Sequence, residues 1–179
     1  MNAQLSNPVT PPDPSANLDP PIPLVHGETV SDVTELLTFQ SGGRGYAVDI
    51  MSVREIRGWS EPTPLPHSES WLRGMVNLRG SVLPVMDLAH RLGRDPTEDD
   101  PRNVIIVIEE AGRVHGLLVQ AVSDILRPGE NQLQDVPATG ADGEYKITER
   151  LFVSDDAMIQ ILSTKRLLER ASSRSNVAP

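Results

Sequence analysis

The sequence predicts a mostly β protein made of two small, related barrel-like units, and three observations carry that expectation. Strand-like runs recur at short, regular spacing between Gly and Pro turns, which favours barrels over α/β layers. Ala47-Val48-Asp49-Ile50-Met51-Ser52-Val53-Arg54-Glu55-Ile56 matches Gly116-Leu117-Leu118-Val119-Gln120-Ala121-Val122-Ser123-Asp124-Ile125 in its apolar positions, without a gap. Further on, Leu83, Val85, Met86 and Leu92 match Ile159, Ile161, Leu162 and Leu168 in the same manner. In each half a hairpin leads into a V-x-x-I segment, and each half ends with a strand feeding a short helix.

The elements follow in order. Residues 1–30 hold about half of the chain's 16 prolines and almost no apolar periodicity. Pro11-Pro12-Asp13-Pro14 and Pro20-Pro21-Ile22-Pro23 cannot pack a core, so this stretch is expected to be a disordered, solvated tail. Leu36-Leu37-Thr38-Phe39 then runs through Ser41-Gly42-Gly43-Arg44-Gly45 into Tyr46-Ala47-Val48, a hairpin on a glycine turn. Those glycines lack the Lys-Ser/Thr of a phosphate-binding loop, and no long helix follows them.

Gly74 to Leu92 reads as a second hairpin around Asn77-Leu78-Arg79-Gly80, with Pro84 limiting the pairing of its second strand. Asp87 stands at a helix N-cap position, Leu88, Arg91 and Leu92 follow at helical spacing, and Gly93 stops the helix. The acidic stretch Asp95 to Asp100, closed by Pro101, is expected to be a solvated connector between the halves. Asn103 to Val119 forms a third hairpin turning at Ala111-Gly112-Arg113, and its run Val104-Ile105-Ile106-Val107-Ile108 fits a strand buried on both faces. Pro128 to Glu144 reads as a long loop with turns at Gly140, Asp142 and Gly143. Strands resume at Ile147 to Val153 and Met158 to Leu162, around a Ser154-Asp155-Asp156 turn. Ser163 caps a final helix expected to reach about Ala171, and residues 172–179 are expected to fray.

Composition narrows the function. The net charge of −9 and pI of about 4.8 repel phosphate backbones, which argues against nonspecific nucleic-acid binding. No apolar run has the length of a bilayer span, and no secretory signal pattern opens the chain. Cysteine is absent, which removes disulfides, thiolate catalysis and Cys-ligated zinc together and mildly favours the cytoplasm. His26, His67, His90 and His115 show no metal-ligand spacing and are read as surface or satisfied histidines. The carboxylates are scattered: a helix cap accounts for Asp87, and Glu109-Glu110 reads as solvated at a turn. No enzyme, cofactor or metal centre is expected. What remains is recognition chemistry. Arg79 on its turn can fork onto a carboxylate or carbonyl. Val53 and Glu55 alternate on a strand edge, and Trp59 and Trp71 flank the Pro62-Thr63-Pro64-Leu65-Pro66 loop. Trp59 is a candidate partner contact, and core packing is the first expectation for Trp71.

These residues closely resemble the CheW coupling proteins of bacterial chemotaxis arrays. The resemblance lies in Tyr46-Ala47-Val48-Asp49-Ile50, Val53-Arg54-Glu55-Ile56-Arg57-Gly58-Trp59, Thr63-Pro64-Leu65-Pro66 and Arg73 through Leu88, and resumes at Gly116-Leu117-Leu118-Val119 and Val122-Ser123-Asp124-Ile125-Leu126. It covers about Thr34 to Leu168. It implies one domain over 31–171, a pair of intertwined five-stranded SH3-like β-barrels with short helices and a C-terminal helix. The implied role is that of a non-catalytic adaptor. Its implied partners are the regulatory domain of a CheA-type histidine kinase and the hairpin tip of a methyl-accepting chemoreceptor. The tip would lie in the groove between the barrels, with ring assembly alongside CheA or other CheW-like domains and a cytoplasmic location at arrays on the inner membrane. Carried over position by position, Val53, Glu55, Gly74 and Arg79 fall where the family's receptor-coupling residues fall. Gly74 can serve by allowing close backbone approach. The sequence departs from the family at Thr148-Glu149-Arg150, at Ser163 in place of the usual Asp, and over Gln132 to Thr139. A barrel binding a small ligand is the alternative; it would need an internal cavity, and a filled interior would count against it.

Overall fold

The computed structural model describes residues 35–136 and 146–169. The Pro-rich tail, the turns at Gly140, Asp142 and Gly143 and the frayed end expected from the sequence lie outside these residues. The described chain is mostly β. The first half holds β1 (Leu36–Ser41), β2 (Arg44–Asp49), a 3-10 turn (Ile50–Ser52), β3 (Val53–Gly58), β4 (Leu72–Leu78), β5 (Ser81–Asp87) and α1 (Leu88–Arg91). The second half holds β6 (Val104–Glu110), β7 (Arg113–Val119), β8 (Ala121–Leu126), β9 (Leu133–Asp135), β10 (Thr148–Val153), β11 (Met158–Leu162) and α2 (Thr164–Leu168).

The strands form two sheets, in the orders β3-β6-β7-β5-β4 and β8-β1-β2-β11-β10-β9. Each sheet borrows a hairpin from the other half: β6–β7 completes the first, and β1–β2 completes the second. The repeat read in the sequence reappears in the register. Ala47 faces Ile161 across the parallel β2–β11 pair, and its counterpart Gly116 faces Val85 across the parallel β7–β5 pair. Val53 faces Ile108 where Val122 faces Phe39. Even the irregularities recur, between Leu72 and Gly74 on β4 and between Thr148 and Arg150 on β10. Pro84, lacking an N–H, precedes the first position at which β5 pairs with β7.

The same duplication organises the core. One shared cluster receives Leu37, Phe39, Val48 and Met86 from the first half and Ile106, Ile108, Leu117 and Leu162 from the second. Each sheet keeps a satellite cluster on its other face. Leu83, Val85, Ile105, Val107 and Leu118 fill one, and Leu36, Ala47, Phe152 and Ile161 fill the other. Strands buried on both faces need apolar residues at successive positions, which is why Val104 to Ile108 and Leu36 to Phe39 show runs rather than alternation.

Three details depart from the sequence expectations. The Pro128–Glu144 region contains β9, which pairs with β10 and gives one sheet a sixth strand, with Leu133 packed on its satellite cluster. The final helix stops at Leu168, short of Ala171, because Glu169 turns extended (φ −66°, ψ 129°). Arginines satisfy the helix's last carbonyls: Arg91 Nη2 donates to Glu169 O (2.8 Å) and Arg113 Nη1 to Leu168 O (3.2 Å). The acidic connector is anchored rather than simply solvated. Thr97 donates to the buried Asp87 carboxylate from its amide (2.8 Å) and its hydroxyl (2.9 Å), and Arg73 pairs with Asp99.

Candidate functional site

The site is built on the β4–β5 turn. Leu78 pairs with Ser81, so the two-residue loop is Arg79-Gly80, one residue later than the turn read from the sequence. Both loop residues have positive φ (50° and 88°), the signature of a type I′ turn. Asn77 Oδ1 accepts a hydrogen bond from the Gly80 amide (2.9 Å) and fixes the entry to the loop. An Arg at positive φ costs about 1–2 kcal/mol relative to the right-handed region. A long charged side chain is thus held where Asn or Gly would fit better. The matching turn of the second half carries Asp155-Asp156, so this guanidinium belongs to one unit alone.

The five-stranded sheet curls until its two ends meet here. Arg79 Nη2 lies 3.4 Å from Glu55 Oε2 on β3, and Arg57 Nη1 lies 3.9 Å from the other oxygen of that carboxylate. Arg79 is 82% exposed at its side chain against 27% for Glu55. An ion pair this open is worth at most about 1 kcal/mol, so the guanidinium can be given up to another carboxylate at little cost. Below the pair lies an open depression of about 560 Å³. Its floor includes Leu83, Val107 and Val114 from the satellite core or its fringe, and its rim includes Arg54, Glu55, Arg79 and Val82. Val82 is 68% exposed, an apolar residue placed beside the charged pair.

The structure thus brings Glu55 and Arg79 together and places the other candidates in packing. Val53 is partly buried against the shared core. Gly74 is buried beneath the segment that links β3 to β4. Thr63 and Met75 exchange backbone hydrogen bonds across it (2.8 and 2.9 Å), and φ at Gly74 is +144°. A methyl group there would lie 2.2 Å from the Thr63 carbonyl oxygen, so the close approach expected of this glycine is to its own chain. Trp59 rests partly buried on the satellite cluster. Trp71 packs on the shared core as expected, with the Arg91 guanidinium 5.0 Å from its ring centroid. The depression that Arg79 rims is formed by the five-stranded sheet, whereas the resemblance led us to expect a groove between the units. Arg54 and Val82 are rim residues the sequence did not single out; an apolar residue two places beyond a charged turn was the available signal.

Among the described residues, no group of His, Asp and Glu could hold a metal ion, and no helix is long and apolar enough to cross a membrane. His115 differs from its expectation as a surface or satisfied residue. It is half-buried on β7, and its Nδ1 is enclosed without a hydrogen-bond partner. Burial, with the Arg113 charge adding to it, pushes its pKa below the ordinary value.

Residues 35–172 match the CheW-like domain family. The chain is 42% identical to the probable chemotaxis protein CheW of Rhizobium etli over 141 residues, covering 79% of this chain and 91% of that protein. It is 43% identical to the chemotaxis protein CheW of Rhizobium meliloti over 125 residues, covering 70% and 81%. Among solved structures, the scaffolding protein TtCheW of Thermoanaerobacter tengcongensis superposes with a TM-score of 0.69 at 29% identity, covering 76% of this chain and 92% of that one.

Proposed function

The chain belongs to the CheW family of chemotaxis scaffold proteins, and from that premise we propose that it couples chemoreceptors to a CheA-type histidine kinase. It acts by linkage. Binding kinase and receptor together, it favours the kinase state that a given receptor state selects. In an array beneath the inner membrane, repeated contacts multiply modest pairwise affinities.

The observation that carries this reading is the exposed Arg79–Glu55 pair over an apolar floor. A helical receptor tip offers carboxylates and apolar side chains at i, i+3 and i+4 spacing. A guanidinium held on a tight turn beside Val82 suits both, and the loose bond to Glu55 keeps it oriented until the partner arrives. The satellite core beneath the depression is occupied by Leu83, Val85, Ile105, Val107 and Leu118, which counts against a small-ligand cavity inside the unit.

The turn geometry supplies a clean test. Arg79→Asn places a favoured residue at the first position of a type I′ turn and is expected to raise stability by up to about 1 kcal/mol. The same substitution is expected to weaken binding of a receptor hairpin-tip fragment about tenfold or more. Calorimetric titration and urea unfolding on the one variant read both effects. Unchanged receptor affinity in this stabilised protein would remove Arg79 from the site. Titration against the kinase regulatory domain reads the other arm, where saturable one-to-one binding is expected.

A further inference from the structure

Residues 59–71 leave β3 at one end of the five-stranded sheet and enter β4 at the other as a strap. The second half shows what this strap replaces. There the outer edge of β10 carries β9, with Arg150, Leu151 and Phe152 facing Asp135, Gln134 and Leu133. On β4 the same place holds a single bridge between Thr63 and Met75. Pro62 and Pro64 flank Thr63 and have no N–H to extend a ladder, so the strap's seat rests on the two hydrogen bonds of that bridge.

Gly74 makes the seat possible. A Cβ at this position would meet Thr63 O at 2.2 Å and Thr63 C at 2.6 Å. Both are backbone atoms, so no side-chain rotation relieves the overlap. The corresponding position on β10 is Arg150, where β9 lies alongside without demanding a glycine. Beyond the bridge, the strap begins at Trp59, which packs on the satellite cluster containing Leu83 and Val107. Those two residues also line the floor of the Arg79 depression. Gly74 is therefore linked to that floor within one chain: it lies against Thr63, the strap runs from Thr63 back to Trp59, and Trp59 packs on the cluster that supplies the floor.

We propose that Gly74 is a positioning residue: it seats the 59–71 strap on β4 and acts on partner binding through Trp59 and the floor of the depression, not by touching the partner. This rests on the coupling function proposed above. Two substitutions lift the strap by different means. Gly74→Ala pushes the Thr63 carbonyl away. Thr63→Pro leaves Gly74 intact and removes the N–H that bonds Met75. In a Trp71→Phe background Trp59 is the sole tryptophan, so its emission and its quenching by acrylamide report the strap directly.

Both variants are expected to expose Trp59 and to weaken binding of a soluble chemoreceptor hairpin-tip fragment by a similar factor, about tenfold. Phe152→Leu, a lesion in the other satellite core, is the control: it lowers the melting temperature and leaves the affinity unchanged. The proposal is overturned if Thr63→Pro exposes Trp59 yet binds like the parent, or if Gly74→Ala weakens binding with Trp59 unmoved. Should Gly74→Ala fail to fold, Thr63→Pro decides alone. A parent protein that does not bind the fragment at all is a separate result, one that defeats the coupling function itself.

Discussion

Asp87 and Ser163 occupy the same place in the two halves, each capping the helix after the last strand of its half. Asp87 is fully buried and accepts three hydrogen bonds, from the amides of His90 and Thr97 and from the Thr97 hydroxyl. Ser163 accepts one exposed bond from the Arg166 amide at 3.5 Å. Replacing Asp87 with Ala strands buried donors and is expected to cost about 3 kcal/mol. Ser163→Ala is expected to cost about 1 kcal/mol or less. Urea unfolding of the two variants checks the contrast. His115 offers a second one. It stands in the place of Tyr46, whose hydroxyl accepts a bond from Arg94 Nε (3.2 Å). Burial first, and then the Arg113 charge, lower the pKa of His115 in the folded protein, whereas the unfolded chain takes up a proton at about pH 6.5. Stability therefore falls as pH drops through about 6.5 and goes on falling until the lower folded pKa is reached. His115→Leu is expected to flatten that limb of a melting-temperature profile between pH 7.5 and 5. The cap at Asp87 was legible in its position after an apolar run. The burial of His115 was not, since a strand covered on both faces gives no alternation by which to tell inside from outside.

At the scale of elements, the two satellite cores solve one packing problem with different pairs. One uses Leu36 with Ala47; the other uses Ile105 with Gly116 at the matching positions. The β-branched methyl of Ile105 explains the glycine: a Cβ on Gly116 would come within 2.8 Å of Ile105 Cγ2. Gly116→Ala is expected to cost about 1–3 kcal/mol by overpacking. Ile105→Leu moves that branch away and is expected to recover much of the loss, by importing the pair of the other half. A double-mutant cycle in urea measures the coupling, and additive effects would show that the two sites do not share the strain. The existence of the hairpins and the helix starts was readable because their signals are local, glycine turns and an Asp or Ser before helical spacing, although the β4–β5 turn was placed one residue early. β9 was missed because Leu-Gln-Asp is too short to show a period. The 59–71 strap was read only as a Pro-rich loop, since its bridge depends on a strand distant in register. For the candidate site, the family resemblance pointed to Val53, Glu55, Gly74 and Arg79 alike; the pairing of Arg79 with Glu55 and the packing of Val53 and Gly74 needed the three-dimensional arrangement to be seen.

At the scale of the molecule, neither half owns a complete sheet. The first supplies β3, β4 and β5 to one and β1–β2 to the other; the second does the reverse. The two units therefore share one cooperative core, and a chain cut between Asp100 and Pro101 is expected to give fragments that lack cooperative unfolding separately. Mixed at equal concentration, the fragments are expected to regain a single transition by circular dichroism. Two fragments that each melt cooperatively would mean that the units are independent. The apolar repeat announced this duplication and the family resemblance implied intertwined units, but which hairpin crosses to which sheet was not readable in the pattern, since pairing partners are set by the shared core. The long separation between paired strands also predicts slow folding for a chain of this size.

The exchanged hairpins carry one more implication, for crowding during folding. Every pairing that β6–β7 makes with β3 and β5 within one chain is equally available from a neighbouring chain, because the hairpin reaches its sheet across a connector that a partner's hairpin could replace. Only Gln120 separates β7 from β8, so two newly made molecules can trade whole second halves and bury the same sheet surfaces in a domain-swapped dimer. The anchoring of Thr97 on Asp87 ties the connector to its own first half and is expected to work against that outcome, which gives the acidic stretch a role beyond that of a spacer.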